Sequence, residues 1–159
     1  MEPLPSIDML VPLLALPPAE PPREQVRDEG ILVRRAKVWE AGLLREFIVE
    51  HFFPSWAEEA AVAFSNKPVS AFLAFDGINV IGFAVYECTY RGVFGPIGVD
   101  AAYRKRGIAS VLLLECLASM REMGYIYAII GQAGPRQFFE KACGALSVPE
   151  DWPKYVTDG

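Results

Sequence analysis

Three cationic side chains stand directly before a glycine and a long apolar helical pattern in the run Tyr103-Arg104-Lys105-Arg106-Gly107-Ile108-Ala109. The first N–H groups of a helix have no intrahelical partner, and the helix dipole favours negative charge there. Gly107 and Ala109 keep bulk away from a close approach. A pyrophosphate is the guest that matches converging N–H groups and mobile positive charge together. A second feature lies just upstream, where Gly95-Pro96-Ile97-Gly98-Val99 interrupts a strand-like run. Proline cannot donate to a sheet ladder, and glycine inside a strand marks a bulge or a close backbone approach, so the run reads either as an opening for a ligand or as a bulged edge strand without one.

Alternating strands and helices must position these groups. Gly30 to Ala36 reads as a strand, and Lys37 to His51 as a helix with Val38, Ala41, Leu44, Phe47 and Ile48 on one face. Ser55 and Glu58 have the spacing of a capping box opening a second helix that runs to about Phe64. Val69 to Phe75 and Ile78 to Cys88 flank Asp76-Gly77, a hairpin dipeptide. Val93 to Val99 is the next strand. Ile108 to Met123 is a helix whose only wet stripe is Glu115, Ser119 and Glu122, and Tyr125 to Ile130 suits an inner strand. Gly134-Pro135 opens a short helix that Gly144 closes, and a last strand is expected around Lys154 to Thr157.

Residues 1–29 hold seven of the thirteen prolines and read as a Pro-rich extension outside the core, with residues 30–159 as the domain. The apolar patch Ile7 to Val11 has two readings, a turn packed on the domain or on a second subunit, and a partly mobile leader.

At 159 residues and net charge −5, the chain suits one domain and argues against a nucleic-acid surface, whose affinity comes mainly from Lys and Arg contacts to phosphate. Cys88, Cys116 and Cys143 are scattered among apolar residues and read as reduced core thiols. With one histidine there is no metal-ligand spacing, so no metal is expected. Met9 to Leu16 is short, contains Pro12 and has no basic leader, so neither a signal peptide nor a membrane span is read there, and a cytoplasmic location is expected.

The spacing Arg104-x-x-Gly107-x-Ala109 resembles the Arg/Gln-x-x-Gly-x-Gly/Ala signature of the GNAT N-acetyltransferase superfamily. Phe138-Phe139-Glu140-Lys141-x-Cys143-Gly144-Ala145 is similar to the Phe/Leu-Tyr-Glu-Lys-x-Gly-Phe ending of those domains, with one residue inserted. The likeness runs over about Gly30 to Ala145 and is to an uncharacterised group of small bacterial-type members. It implies a GNAT-like α/β fold with a mixed, mostly antiparallel twisted sheet, helices on both faces, and a splay between the fourth and fifth strands. It also implies acetyl-CoA as acyl donor and direct acetyl transfer to a primary amine of a small molecule or peptide.

Carried over residue by residue, the cofactor contacts become Ile97, Gly98 and Val99 on the bulged strand, Arg104, Lys105, Arg106, Gly107, Ile108 and Ala109 at the helix start, and Gln132 and Phe139 beyond. Phe139 stands where the family's thiolate-protonating tyrosine is found, which leaves a sensor that binds acyl-CoA without transferring it as the rival reading. Tyr86, Tyr90 and Tyr103 are the tyrosines that could substitute. Glu87 is the candidate general base if it faces the cleft, and a surface carboxylate if it faces solvent. His51 and Trp56 are candidate acceptor contacts, or a dipole-favoured helix end and a core anchor; Tyr90 is a further candidate contact. Exposed-looking aromatics and the apolar leader point to a homodimer.

Overall fold

The structure, a computed structural model, describes residues 7–152, and its sheet includes a segment that the proline count places outside the core. Ile7–Pro12 (β1) pairs antiparallel with Tyr127–Ala133 (β6) on one side and with Leu146–Ser147 (β7) on the other. Met9, Val11 and Leu13 are completely buried. The expectation of an extension outside the core is therefore corrected from Ile7 onward, and these apolar residues are consumed within the chain rather than left for a second copy. Prolines are tolerated because of where they fall. Pro12 ends β1, and Pro21 and Pro22 occupy the first turn of Glu20–Asp28 (α1), where N–H groups have no intrahelical partner to lose.

Ile31–Arg35 (β2) follows, then Ala41–His51 (α2) and Pro54–Ala61 (α3). Pro54 takes the first helical position of α3, so the capping box expected at Ser55 does not form. Ala71–Asp76 (β3) and Asn79–Tyr86 (β4) form the hairpin one residue off the expected register. Asp76 pairs with Asn79, the loop is Gly77-Ile78, and Gly77 supplies the positive φ of 62°. Val93–Val99 (β5), Ile108–Glu122 (α4), β6 and Arg136–Cys143 (α5) complete the site-bearing half, with Gly144 closing α5 at φ 71°. The strand expected around Lys154 to Thr157 lies outside the described residues.

The sheet order is β2-β3-β4-β5-β6-β1-β7, antiparallel throughout except for β5 and β6, which run parallel. Because β1 is an added strand, the expected splay between the fourth and fifth strands falls between β5 and β6. Strand alternation divides the core. Phe72 and Ala74 face a cluster with α1, α4 and α5, whereas Ala71, Leu73 and Phe75 face α2 and α3. The polar stripe of α4 is wet only at Glu122. Arg23 of α1 donates to Glu115 at 2.8 Å and Arg35 donates to Ser119 at 3.0 Å, so α1 and the end of β2 cover the rest. No described helix is long and apolar enough to cross a membrane.

Candidate active site

The cleft exists because two neighbouring strands part company. β5 and β6 share a ladder only at Val93–Ile129 and Phe94–Ile130. Beyond it β5 takes one residue more than β4, which pairs Ala84 with Ile97 and Tyr86 with Phe94, and the insertion is the Gly95-Pro96 bulge. Gly95 adopts φ 116°, a conformation that favours glycine. On the opposite wall β6 takes one residue more than β1, which pairs Ile7 with Ala133 and Met9 with Ile130. There Gln132 has φ 50°, and its N–H donates at 3.0 Å to the carboxylate of Asp8, a residue only 7% exposed. Sequence reading missed Asp8. A lone acid among apolar residues near a proline-rich start carries no spacing signal, and its partner is a backbone N–H that no motif describes.

At the mouth of the cleft the loop after β5 is folded by its own side chains. Asp100 accepts from Ala102 N–H at 3.0 Å, Tyr103 donates to Asp76 at 2.5 Å, and Arg106 lies over the Tyr103 ring at 5.2 Å. The hydrogen bond to Asp76 raises the pKa of the Tyr103 hydroxyl. Lys105 at φ 65° and Gly107 at φ 81° bend the chain into a concave run of N–H groups ahead of α4, whose first turn holds no acid to compete for an anion. No heavy atom lies within 4 Å of where a Gly107 side chain would begin, so glycine serves the backbone angle there rather than a tight fit.

From this mouth a groove of about 600 Å³ runs inward past Ile97, Gly98, Val99, Arg104, Lys105 and Ala109 to Phe139. It meets a smaller recess of about 130 Å³ between Phe94, Gly95-Pro96 and Gly131-Gln132, and both spaces share Trp56, Ile97, Gly134 and Phe139. Phe52 and Trp56 stack at 5.5 Å and 22° and wall the groove on the α2–α3 side. A Cβ on Gly98 would sit 2.5 Å from the Phe52 ring, so the ring lies directly on the strand backbone. Phe52 is a further residue that sequence reading missed; Gly98 inside a strand was its trace.

The structure brings together Trp56, Ile97, Gly98, Val99, Arg104, Lys105, Ala109, Gln132 and Phe139 as expected neighbours of one cleft. Other expected residues stand elsewhere. Ile108 is 1% exposed, so only its backbone can reach a ligand, and Arg106 is turned onto Tyr103. Glu87 does not face the cleft. Its φ of 61° ends the strand alternation, its N–H donates to Val93 O at the closed end of the β5–β6 ladder, and its carboxylate accepts from Gly92 N–H and from the Tyr125 hydroxyl. It is a buried loop anchor. Tyr90 belongs to the same loop and does not line the cleft. His51 lies tilted against Phe47, ring centres 4.6 Å apart, with Nε2 4.0 Å from Asp100, beside the mouth rather than in the groove. Tyr86 accepts from Arg35 deep in the core and Tyr103 is bound to Asp76, so neither hydroxyl reaches the cleft. The three cysteines are free and buried. Burial pushes Cys88 up to about 12, Cys143 up to about 11, and Cys116 well above the ordinary range, so none is a thiolate at neutral pH.

Residues 37–145, which include the strand-splayed cleft and the cationic helix start at its mouth, match the model of the Acetyltransferase (GNAT) family. The chain belongs to that family. No curated protein matches it. Among solved structures it is similar to a GCN5-related glucosamine N-acetyltransferase region of a fungal multi-domain GH3 beta-N-acetylglucosaminidase. That likeness has 15% identity and a TM-score of 0.75, over 93% of this chain and 20% of that one. It is also similar to a GCN5-related N-acetyltransferase from Sphaerobacter thermophilus, with 22% identity and a TM-score of 0.66, over 91% of this chain and 50% of that one. A third likeness is to a GNAT family acetyltransferase from Brucella melitensis in complex with acetyl-CoA, with 20% identity and a TM-score of 0.53, over 78% and 92%. The chain thus spans a fifth and a half of the first two, and at these identities the likeness speaks for the fold.

Proposed function

We propose that this protein moves an acetyl group from acetyl-CoA directly to a primary amine of a small molecule or peptide. The observation that carries the reading is the pair of bulges that part β5 from β6 directly behind the Arg104–Ala109 helix start. The residues fit the donor. N–H groups from Gly107 to Ala109, with Arg104 and Lys105, suit its pyrophosphate, and the open edge of β5 at Ile97–Val99 suits its amide-bearing arm. The donor supplies a thioester carbon as electrophile. The amine nitrogen forms a bond to that carbon, the carbon–sulfur bond breaks, and a proton passes from nitrogen to the sulfur through water. Holding both partners in one cleft supplies much of the rate. An N–H on the open β5 edge suits the oxyanion.

The reaction belongs in the cytoplasm on this reading, and exposed aromatics such as Trp39 and Phe53, not the apolar leader, support a homodimer, which light scattering tests. A sensor that binds acyl-CoA without transfer is the second reading, favoured by Phe139, a buried ring with no proton to give. Calorimetry of acetyl-CoA into the protein, followed by a pool of amines and short peptides, separates the two. Micromolar binding with heat and product on adding the pool supports transfer, binding alone supports the sensor, and no binding overturns both. Phe139→Tyr restores an acid and is expected to raise kcat roughly ten-fold if protonation of the thiolate limits turnover.

A further inference from the structure

Resting on the acetyl-transfer reading, we infer that the acceptor is an amine uncharged at neutral pH and carried on a planar apolar body, of the aniline type rather than a polyamine or a lysine side chain. The inner recess is walled by Phe94, Pro96, Ile97, Ile130, Trp56 and Phe139, with the Gln132 amide as its polar side chain. The adjoining groove adds Phe52 stacked on Trp56, and its charged lining among the described residues, Arg104 and Lys105, is the pair given to the donor's pyrophosphate, so the recess itself has no charged side chain in its lining. No acid lines either space: Asp8 accepts from Gln132 N–H, Asp100 from Ala102 N–H, Glu59 from the Thr89 hydroxyl, and Glu87 from Gly92 N–H and the Tyr125 hydroxyl.

Two consequences follow for an incoming amine. An ammonium would shed its water among ring faces with no carboxylate in the lining to receive it, which is costly. A ring face does attract a cation, yet a cation held there has no lone pair to give. It must first lose a proton, and an amine as basic as lysine is free base at only about one part in a thousand or less at pH 7. A weakly basic aryl amine arrives with its lone pair free, and its ring has Phe52, Trp56 and Phe139 to lie against. The step balances as above, with nitrogen–carbon bond formation, carbon–sulfur cleavage and transfer of the nitrogen-bound proton to sulfur, giving an anilide and CoA thiol.

The test is a matched pair, 4-methylaniline and 4-methylbenzylamine, with spermidine as a third acceptor, followed by product mass, while calorimetry reads acetyl-CoA binding separately. At pH 7 the aniline is expected to exceed the benzylamine in kcat/KM by at least roughly ten-fold, because it enters the apolar recess with its lone pair free and without the desolvation cost of an ammonium. Gln132→Glu, which places a carboxylate at the recess, is expected to narrow that ratio by about five-fold or more. Equal or better use of the benzylamine or spermidine overturns the inference while leaving acetyl transfer standing, whereas turnover of none of the three by a protein that binds acetyl-CoA overturns the inference and favours the sensor. Failure to bind acetyl-CoA removes the underlying reading as well.

Discussion

The two strands that wall the cleft open it by the same device, one inserted residue, yet they hold that device in different ways. On β5 the bulge is written into the strand itself, through Gly95 at φ 116° and Pro96. On β6 a glutamine takes φ 50°, a conformation that L residues avoid, and the carboxylate of Asp8 on β1 accepts the N–H this exposes. One wall is local chemistry. The other is a tertiary contact between residues 124 positions apart, so it can be undone from a strand that touches no substrate.

Removing Ile7–Pro12 is the largest break. It strips β6 and β7 of their shared partner and empties the sites of Met9 and Val11, each worth about 1–5 kcal/mol by the measure of large-to-small core changes. Loss of a cooperative thermal transition by circular dichroism is expected, and retained acetyl-CoA binding would mean that the β6 wall supports itself. Gly107→Glu acts on the β5 side of the mouth. It puts a carboxylate where an anion is to sit and forces a side chain into φ 81°, so acetyl-CoA affinity measured by calorimetry is expected to fall by about 100-fold or more in a folded protein.

Asp8→Ala probes the tertiary wall alone. It leaves the Gln132 N–H short of its partner, at a cost of about 1–3 kcal/mol in denaturant unfolding, and Asp8→Asn, which keeps an acceptor oxygen, should recover most of it. An equal loss in both variants would show that the charge rather than the hydrogen bond holds the bulge. The smallest effect belongs to a pair away from both walls. Arg34 donates twice to Glu40 at 2.8 Å and holds its carboxyl below the ordinary range. A depressed carboxyl stabilises the fold above its unfolded pKa, about 4.3, and loses that contribution as pH falls through the folded value. Glu40→Gln is therefore expected to cost about 1 kcal/mol at pH 7, with the difference from the wild type shrinking steadily below about pH 4.

Where chemistry was local, the sequence was readable. The helix start at Gly107, the bulge at Gly95-Pro96 and the close of α5 at Gly144 follow from glycine, proline and apolar period, the splay follows from the family resemblance, and the structure has each of them. Where a feature depends on a distant segment it was not. Proline density hid β1 and α1, because the prolines sit at a strand end and in a first helical turn, positions where they cost nothing. Alternation carried through Tyr86 could not foresee the positive φ at Glu87 that turns this acid from a candidate base into a loop anchor. Phe52 escaped notice because its partner is the bare backbone of Gly98.

The place of β1 has a consequence for how the protein is made. Met9 pairs with Ile130, so during synthesis the strand waits for more than a hundred further residues before its partner exists. At translation rates of about 5–20 residues per second that interval is on the order of 10 s. Throughout it, Met9 and Val11 form an unpaired apolar stretch on every ribosome-bound chain, and the β6 wall of the cleft is among the last features of the newborn molecule to be set.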